Sequence, residues 1–496
     1  MESYKTLEKV CRKLNDINQA KAALHWDMSV TMPAGGAEAR GHQLATLTSI
    51  HHAILSDDGV GELIAKAKSE ENKLDDWQKA NLYEIGKTYN HTASVPRKLA
   101  HELTKEGIAC EMVWREARAA NDFNMLKPRL EKVVKLVREI ASIKAEVFGC
   151  SPYDAMLDQY DRGRKSAQID EVFDNLQAFL PDFIKAVVEK QSSQPKITEL
   201  KGLFPVEKQK RLAHKMLETI GFDFTRGRLD ESHHPFCGGY PGDVRITTRY
   251  DENNFLSAIM GVQHEAGHAM YEANLPQRWL SQPVGEARGM SIHESQSLLL
   301  EMQVCRSKEF MEFATPLYRD TLGGKGKAWT PENLYAICTK VGPSLIRVDA
   351  DEVTYPAHIL LRYYIEKYIL SGDMEVADLP DAWAQGMEKF LGIKPDSDKN
   401  GCMQDIHWMD GSFGYFPTYT LGAIYAAQLF KAARESSPAI VEGISGGDFA
   451  PLMGWLKTNV HEHGCRYSSE ELVQKATGKG LDVEIYKEHL KARYLG

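Results

Sequence analysis

Along most of this chain apolar residues recur three and four positions apart, the spacing that lines one face of an α-helix. From Tyr4 to about Gln194 such segments alternate with short polar breaks, as in the run around Leu82 to Ile85 and the stretch from Leu126 to Val147. Met32-Pro33-Ala34-Gly35-Gly36, Val95-Pro96, Ser151-Pro152 and Gln194-Pro195 punctuate the pattern where elements end. Thr330-Pro331-Glu332 reads as a capped helix start, and Tyr355 to Leu370 as a helix closed by Ser371-Gly372. Alternation with period two is scarce. Its best case is Asp243 to Tyr250, where Val244 and Ile246 alternate with Arg245 and Thr247 behind the turn-rich Cys237-Gly238-Gly239-Tyr240-Pro241-Gly242. The pattern predicts a mainly α protein with a small antiparallel β-sheet, whose edge could carry an extended peptide.

One helical segment carries chemistry. A helix capped by Asn253 or Asn254 is expected to run through Phe255, Ile259, Met260 and Val262 to about Asn274, with Pro276 beyond it. Inside it lies His264-Glu265-Ala266-Gly267-His268. Residues four apart share a helix face, about 6 Å apart along the axis, so both imidazoles can converge on one metal ion. Glu265, about 100° round the helix, is placed to act on water rather than to ligate. This is the H-E-x-x-H arrangement of a zinc metallopeptidase. Gly267, costly in a helix interior by about 1 kcal/mol relative to Ala, implies that something approaches the backbone there.

Bulk properties narrow the class. With 43% hydrophobic and 26% charged residues the chain is globular in composition, and its net charge of -9 is spread through interspersed signs. No basic stripe points to nucleic acid, and no apolar run is long enough to span a membrane. The eight cysteines are scattered without a C-x-x-C pair, as expected of reduced thiols in a cytoplasmic protein. His461-Glu462-His463-Gly464-Cys465 reads as a polar loop or helix end rather than a second metal site. No linker or repeat divides the chain, so a single unit over 1–496 is expected. Within it a helical part spans about 1–200, about 201–430 carries the chemistry, and a helical part closes 431–496.

Catalytic zinc keeps one position for water and takes three protein ligands. A returning helix through Gly289-Met290-Ser291-Ile292-His293-Glu294-Ser295-Gln296 could supply Glu294, with His293 as its rival and Glu272 and Glu286 as weaker candidates. The apolar neighbours Met290, Ile292 and Leu298 favour a buried carboxylate that needs a partner.

Here the sequence resembles the carboxypeptidase Taq family of zinc carboxypeptidases. The resemblance rests on motifs in fixed order: His234-Pro235-Phe236, Asp243-Val244-Arg245-Ile246-Thr247, the histidine pentapeptide, His293-Glu294-Ser295-Gln296, Ile346-Arg347-Val348-Asp349-Ala350-Asp351 and Gly401-Cys402-Met403-Gln404-Asp405-Ile406-His407-Trp408. Trp26-Asp27 with Met32-Pro33 resembles the family's opening segment, which extends the likeness over nearly the whole chain. It implies a two-lobed helical body with a deep groove, similar to thimet-type oligopeptidases and angiotensin-converting enzyme. It also implies a homodimer, and one zinc ion per chain, replaceable by cobalt, on His264, His268 and Glu294, with Glu265 as general base.

For the remaining steps, His407 and the aromatic run Phe413 to Tyr419 could donate to the developing oxyanion, Tyr415 ahead of Tyr419. A free C-terminal carboxylate calls for an arginine fork. The family motif points to Arg347; Arg245, on the expected sheet edge, is the runner-up. His234 could bond substrate backbone, and Asp243, Gln404 and Asp405 are expected to orient these groups. The expected activity is removal of single C-terminal residues with broad side-chain preference. An oligopeptidase or peptidyl-dipeptidase with the same zinc chemistry is the near alternative, and a non-catalytic zinc-stabilised interaction protein the distant one.

Overall fold

A computed structural model describes all residues, Met1–Gly496. The chain forms twenty α-helices and one three-stranded sheet, the mainly helical architecture its periodicity predicts. Five of the helices matter most for the site: α1 (Glu2–Val30), α2 (Phe255–Ala273), α3 (Gly289–Leu298), α4 (Tyr355–Ser371) and α5 (Pro417–Ser436). The stretch expected from Leu126 to Val147 is a helix over Phe123–Phe148. α4 ends as expected at Gly372, in the left-handed conformation that glycine adopts without strain.

Two apolar cores hold the body together. One, of 98 buried residues, extends from Val95 to Tyr494; a smaller one, of 9, includes Tyr4, Leu7, Val60, Ile64 and Leu82 under the N-terminal helices. The joint between them is polar, with its principal groups paired. Asn81 donates to Tyr4 Oη and to Gln282 Oε1, 3.0 Å each, and accepts from Val284 N at 3.2 Å. Beside it Arg288 donates to Glu84 at 2.6 Å, both almost fully buried. Paired in this way, buried polar groups avoid the cost of lost hydration.

The sheet comprises β1 (Gly227–Glu231), β2 (Cys237–Tyr240) and β3 (Asp243–Thr248), in the order β1-β3-β2. It corrects the expectation of an antiparallel sheet: β2 and β3 pair antiparallel across the Pro241-Gly242 turn, but β1 pairs parallel with β3. It also removes Arg245 from a sheet edge, because β3 is the central strand. The reason is non-local. The turn dictates only the hairpin, whereas β1 docks on the far side of β3, Leu229 opposite Ile246. α1 crosses this sheet, its Trp26 ring 5.3 Å from Phe236.

α2 starts at Asn254, whose side chain accepts from Ser257 N at 3.3 Å, and ends at Asn274. Gly267 explains itself here. A Cβ at that position would collide with Gln296 O and Ser297 Cα of α3. Gly422 does the same from α5, where a Cβ would sit 2.8 Å from Glu294 Cβ. α3 is thus gripped between two helices at glycine contacts, and this sets how far Glu294 projects toward α2.

Candidate active site

Within α2, His264 and His268 lie one turn apart, their ring centroids separated by 5.1 Å. Glu294 of α3 meets both: its Oε2 is 3.5 Å from His268 Nε2 and its Oε1 is 4.0 Å from His264 Nε2. The three donor atoms lie within 4.8 Å of one another, close enough for each to reach one ion at about 2.1 Å. Two further observations fit a cation. Each ring spends its Nδ1 on an outer partner, leaving Nε2 facing Glu294. And although burial lowers the pKa of His264, the carboxylates Glu294, Glu301 and Glu265 outweigh it and raise it to about 10. Burial dominates at the other imidazole and lowers the pKa of His268 to about 4, so of the pair only His264 is driven toward positive charge.

The outer partners form two chains. His264 Nδ1 is 3.0 Å from Glu301 Oε2, and Arg306 donates to the other oxygen of Glu301 at 2.7 Å. Glu301 stands in a π-helical turn, Leu299–Val304, that continues α3, the kind of local distortion that re-aims a functional side chain. On the other side His268 Nδ1 is 2.6 Å from His293 Nδ1, and His293 Nε2 is 2.8 Å from Glu272 Oε1. With Glu272 as final acceptor, His293 donates from Nε2 and accepts from His268 at Nδ1. His293, weighed above as a rival ligand, therefore stands behind His268, and Glu272 behind His293. Replacing His293 with Leu should weaken metal binding about 10- to 100-fold, read by competition with a chromogenic chelator. Unaltered affinity would show that His268 does not depend on this chain.

Glu265 is 7% exposed and lines the same cavity as His264 and Glu294, a space of about 800 Å³. Burial pushes its pKa up to about 7, with Glu294 and Glu301 adding to the rise and His264 opposing it. Arg347, in a short 3-10 turn, lines that cavity too. Its Nε donates to Asp405 Oδ1 at 3.0 Å and its Nη1 to Tyr355 Oη at 2.8 Å, while Gln404 Oε1 accepts from its backbone N at 2.9 Å. Asp405 also accepts from Arg362 Nε at 2.7 Å, and Gln404 from Arg362 Nη2 at 2.8 Å. One glutamine and one aspartate thus hold two buried arginines.

The aromatic groups gather beside Arg347. Tyr419 lines the cavity, its ring centroid 5.2 Å from the Arg347 guanidinium carbon. Tyr415 stands next to it at 5.3 Å and edge-on to Tyr160 at 5.0 Å; His407 is 5.6 Å from Tyr415. Burial holds both phenols above their ordinary pKa and lowers that of His407 to about 4, so at neutral pH all three are uncharged hydrogen-bond donors. Glu366 positions this segment, accepting from Trp408 Nε1 at 2.9 Å and from Gly414 N at 3.1 Å. Of the expected site residues, His268, His407, Tyr415, Arg245 and His234 do not themselves line the cavity. Arg245 forms a two-pronged pair with Asp243 and stacks over Trp26, and His234 is exposed next to His233. Of the His461-to-Cys465 stretch, the His461 ring bonds Gln296 Oε1 at 3.0 Å and Cys465 Sγ donates to Glu286 O at 3.3 Å. The segment clamps the loop that leads into α3.

Sequence reasoning missed Glu301, Arg306, Tyr355, Arg362 and Glu366. Glu301 carried a usable signal, lying seven residues beyond Glu294 and so on the same helix face. Tyr355 opens the helix that follows the Arg347 motif. Arg362 and Glu366 read as ordinary helix charges, and only their complete burial marks them.

Comparison with known proteins agrees with this geometry over the entire chain. The family model for the carboxypeptidase Taq (M32) metallopeptidases matches residues 6–494. Thermostable carboxypeptidase 1 of Thermus thermophilus is 35% identical, over 99% of this chain and 98% of its own. Among solved structures, Trypanosoma cruzi metallocarboxypeptidase 1 superposes with a TM-score of 0.98 at 38% identity, covering 100% of both chains. The M32 carboxypeptidase of Deinococcus radiodurans superposes at 0.94 with 35% identity, covering 100% of this chain and 99% of its own. A paired-histidine helix, a facing glutamate and full-length likeness in sequence and fold lead to one conclusion: this chain belongs to the carboxypeptidase Taq (M32) family of metallocarboxypeptidases.

Proposed function

We propose that this metallocarboxypeptidase is a zinc enzyme in which Glu265 moves the proton and Arg347 anchors the terminal carboxylate of a peptide while its last residue is removed. The observation that carries the reading is the shared cavity. His264, Glu265 and Glu294 face it together with Arg347 and Tyr419, so the hydrolytic groups and a carboxylate receptor address one substrate. Held by His264, His268 and Glu294, zinc would supply a Lewis acid that polarises the scissile carbonyl and acidifies water.

The chain's own residues supply the rest. Glu265 accepts the proton of the attacking water and returns it to the leaving amine, a double task suited to a carboxyl with a pKa near neutrality. Tyr419 on the cavity, with Tyr415 and His407 packed beside it, would supply N–H and O–H donors to the oxygen on which negative charge develops. Arg347, buried and braced by Asp405 and Tyr355, presents its remaining N–H groups to the carboxylate without first having to be ordered. Arg245 is the second candidate for the carboxylate, and His234 a contact for substrate backbone. Cobalt in place of zinc, a homodimer and a cytoplasmic setting complete the reading. The eight unpaired cysteines favour the last of these. No helix is long and apolar enough to cross a membrane.

Incubating the protein with an N-blocked tripeptide and with its C-terminal amide tests the assignment. The free acid should be cleaved at its last bond and the amide at least about 100-fold more slowly, the loss expected when a buried arginine has no carboxylate to bind. Equal cleavage of both would indicate an oligopeptidase.

A further inference from the structure

Helix glycines cost stability unless something requires them, and in this chain Gly267 and Gly422 are required by the packing of α3 described above. Gly261 is different. It lies inside α2 with ordinary helical backbone, and a Cβ built there would find only Thr248 Oγ1 within 4 Å, at 3.8 Å. Nothing in the folded chain excludes a Cβ at this position. Gly261 instead lines the cavity that holds His264, Glu265 and Glu294. It lies four residues before Glu265, one turn toward the N-terminus on the same helix face.

We infer that Gly261 is a specificity-determining position: its missing side chain leaves room for a bulky apolar C-terminal residue of the substrate, of the Phe or Leu class. The inference rests on the carboxypeptidase reading, in which the terminal residue lies between Glu265 and Arg347, both on this cavity. Leu256, Met260, Leu298, Met302 and Ile337 give this cavity apolar surface among its polar groups. Of the carboxylates on this cavity outside the metal-and-base set, Glu301 is engaged by His264 and Arg306 and Glu352 by His489, Arg493 and Tyr494, whereas Asp349 and Asp351 pair with no cation. The ranking expected of the missing side chain is therefore one of size among apolar residues, Phe and Leu above Ala.

The test uses the metal-loaded enzyme and N-blocked tripeptides that differ only in a final Phe or Ala. Wild type should show a higher kcat/KM with Phe than with Ala. Gly261→Leu should lower the Phe-to-Ala ratio of kcat/KM by at least about tenfold, the scale on which a filled apolar pocket discriminates. Gly261→Val, expected to shift the ratio in the same direction, carries the test if the leucine variant does not fold. Gly261→Ala should raise Tm, because the fold gains helix propensity and loses no contact. A ratio unchanged within about twofold, a wild-type preference for Ala over Phe, or a lower Tm for Gly261→Ala would each overturn the inference. The C-terminal amide of the Phe peptide separates the two levels of the argument. If it is cleaved as fast as the acid, the carboxypeptidase reading itself fails, whatever the ratio shows.

Discussion

Glu265→Gln should lower kcat by about three orders of magnitude while the protein still binds its metal, because glutamine keeps the shape of the carboxyl but cannot accept a proton. The metal ligands are other residues, and the outer chains through Glu301 and His293 do not include Glu265. Binding and turnover should therefore separate. The pH dependence follows from the sign of the shift. A base works ionised, and burial raises the pKa of Glu265 to about 7. A cation held by the neighbouring ligands favours the ionised form and brings the value down. Activity should accordingly rise with pH through a limb at or below about 7, and the glutamine variant should lack that limb. Peptide hydrolysis followed from pH 5 to 9, with metal content measured on the same samples, decides the matter. A metal-loaded variant that retained more than about a tenth of the wild-type rate would make another group the proton acceptor.

Arg347→Met should cost about 3 kcal/mol in kcat/KM on a free-acid peptide, a loss of about 100- to 200-fold, with little effect on the slow cleavage of the amide. The contrast between the two substrates is the informative part. Removing a buried arginine normally strands its partner, which costs stability on its own account. Here Asp405 keeps Arg362, whose Nε donates to it at 2.7 Å, and Gln404 keeps Arg362 Nη2 at 2.8 Å. The site should survive the substitution with its remaining ion pair intact. If both substrates lost activity equally, Arg347 would be a structural brace for Tyr355 and Asp405, and the carboxylate would be bound elsewhere, with Arg245 the next candidate.

These two residues differ in how openly the chain displays them. Glu265 is legible because its meaning is local: i,i+4 histidines on a helix converge by geometry, whatever the rest of the chain does. Arg347 stands in a short turn, and its brace Asp405 comes from 58 positions away. Its surroundings suggested a role only through resemblance. The choice between His293 and Glu294 shows the same limit. Adjacent helix residues point about 100° apart, so which one meets the histidines depends on how α3 is rotated. That rotation is set by contacts at Gly267 and Gly422, one on the helix before and one on a helix far downstream. The sheet behaves alike: the hairpin was readable from its turn, the parallel partner was not.

Periodicity, caps and breakers by themselves determined that this protein is helical, where α2 and α4 run, and that two histidines and a glutamate share one turn. All of these depend on neighbours a few residues apart, whose interactions the chain carries wherever it folds. Tertiary structure alone decided that His293 backs His268, that Glu301 and Arg306 hold His264, that β3 is a central strand, and that Arg347 opens onto the cavity of Glu265. Each depends on contacts between segments distant in sequence. Those contacts are made by packing, through the volume a glycine leaves free or the counter-charge a buried group must find.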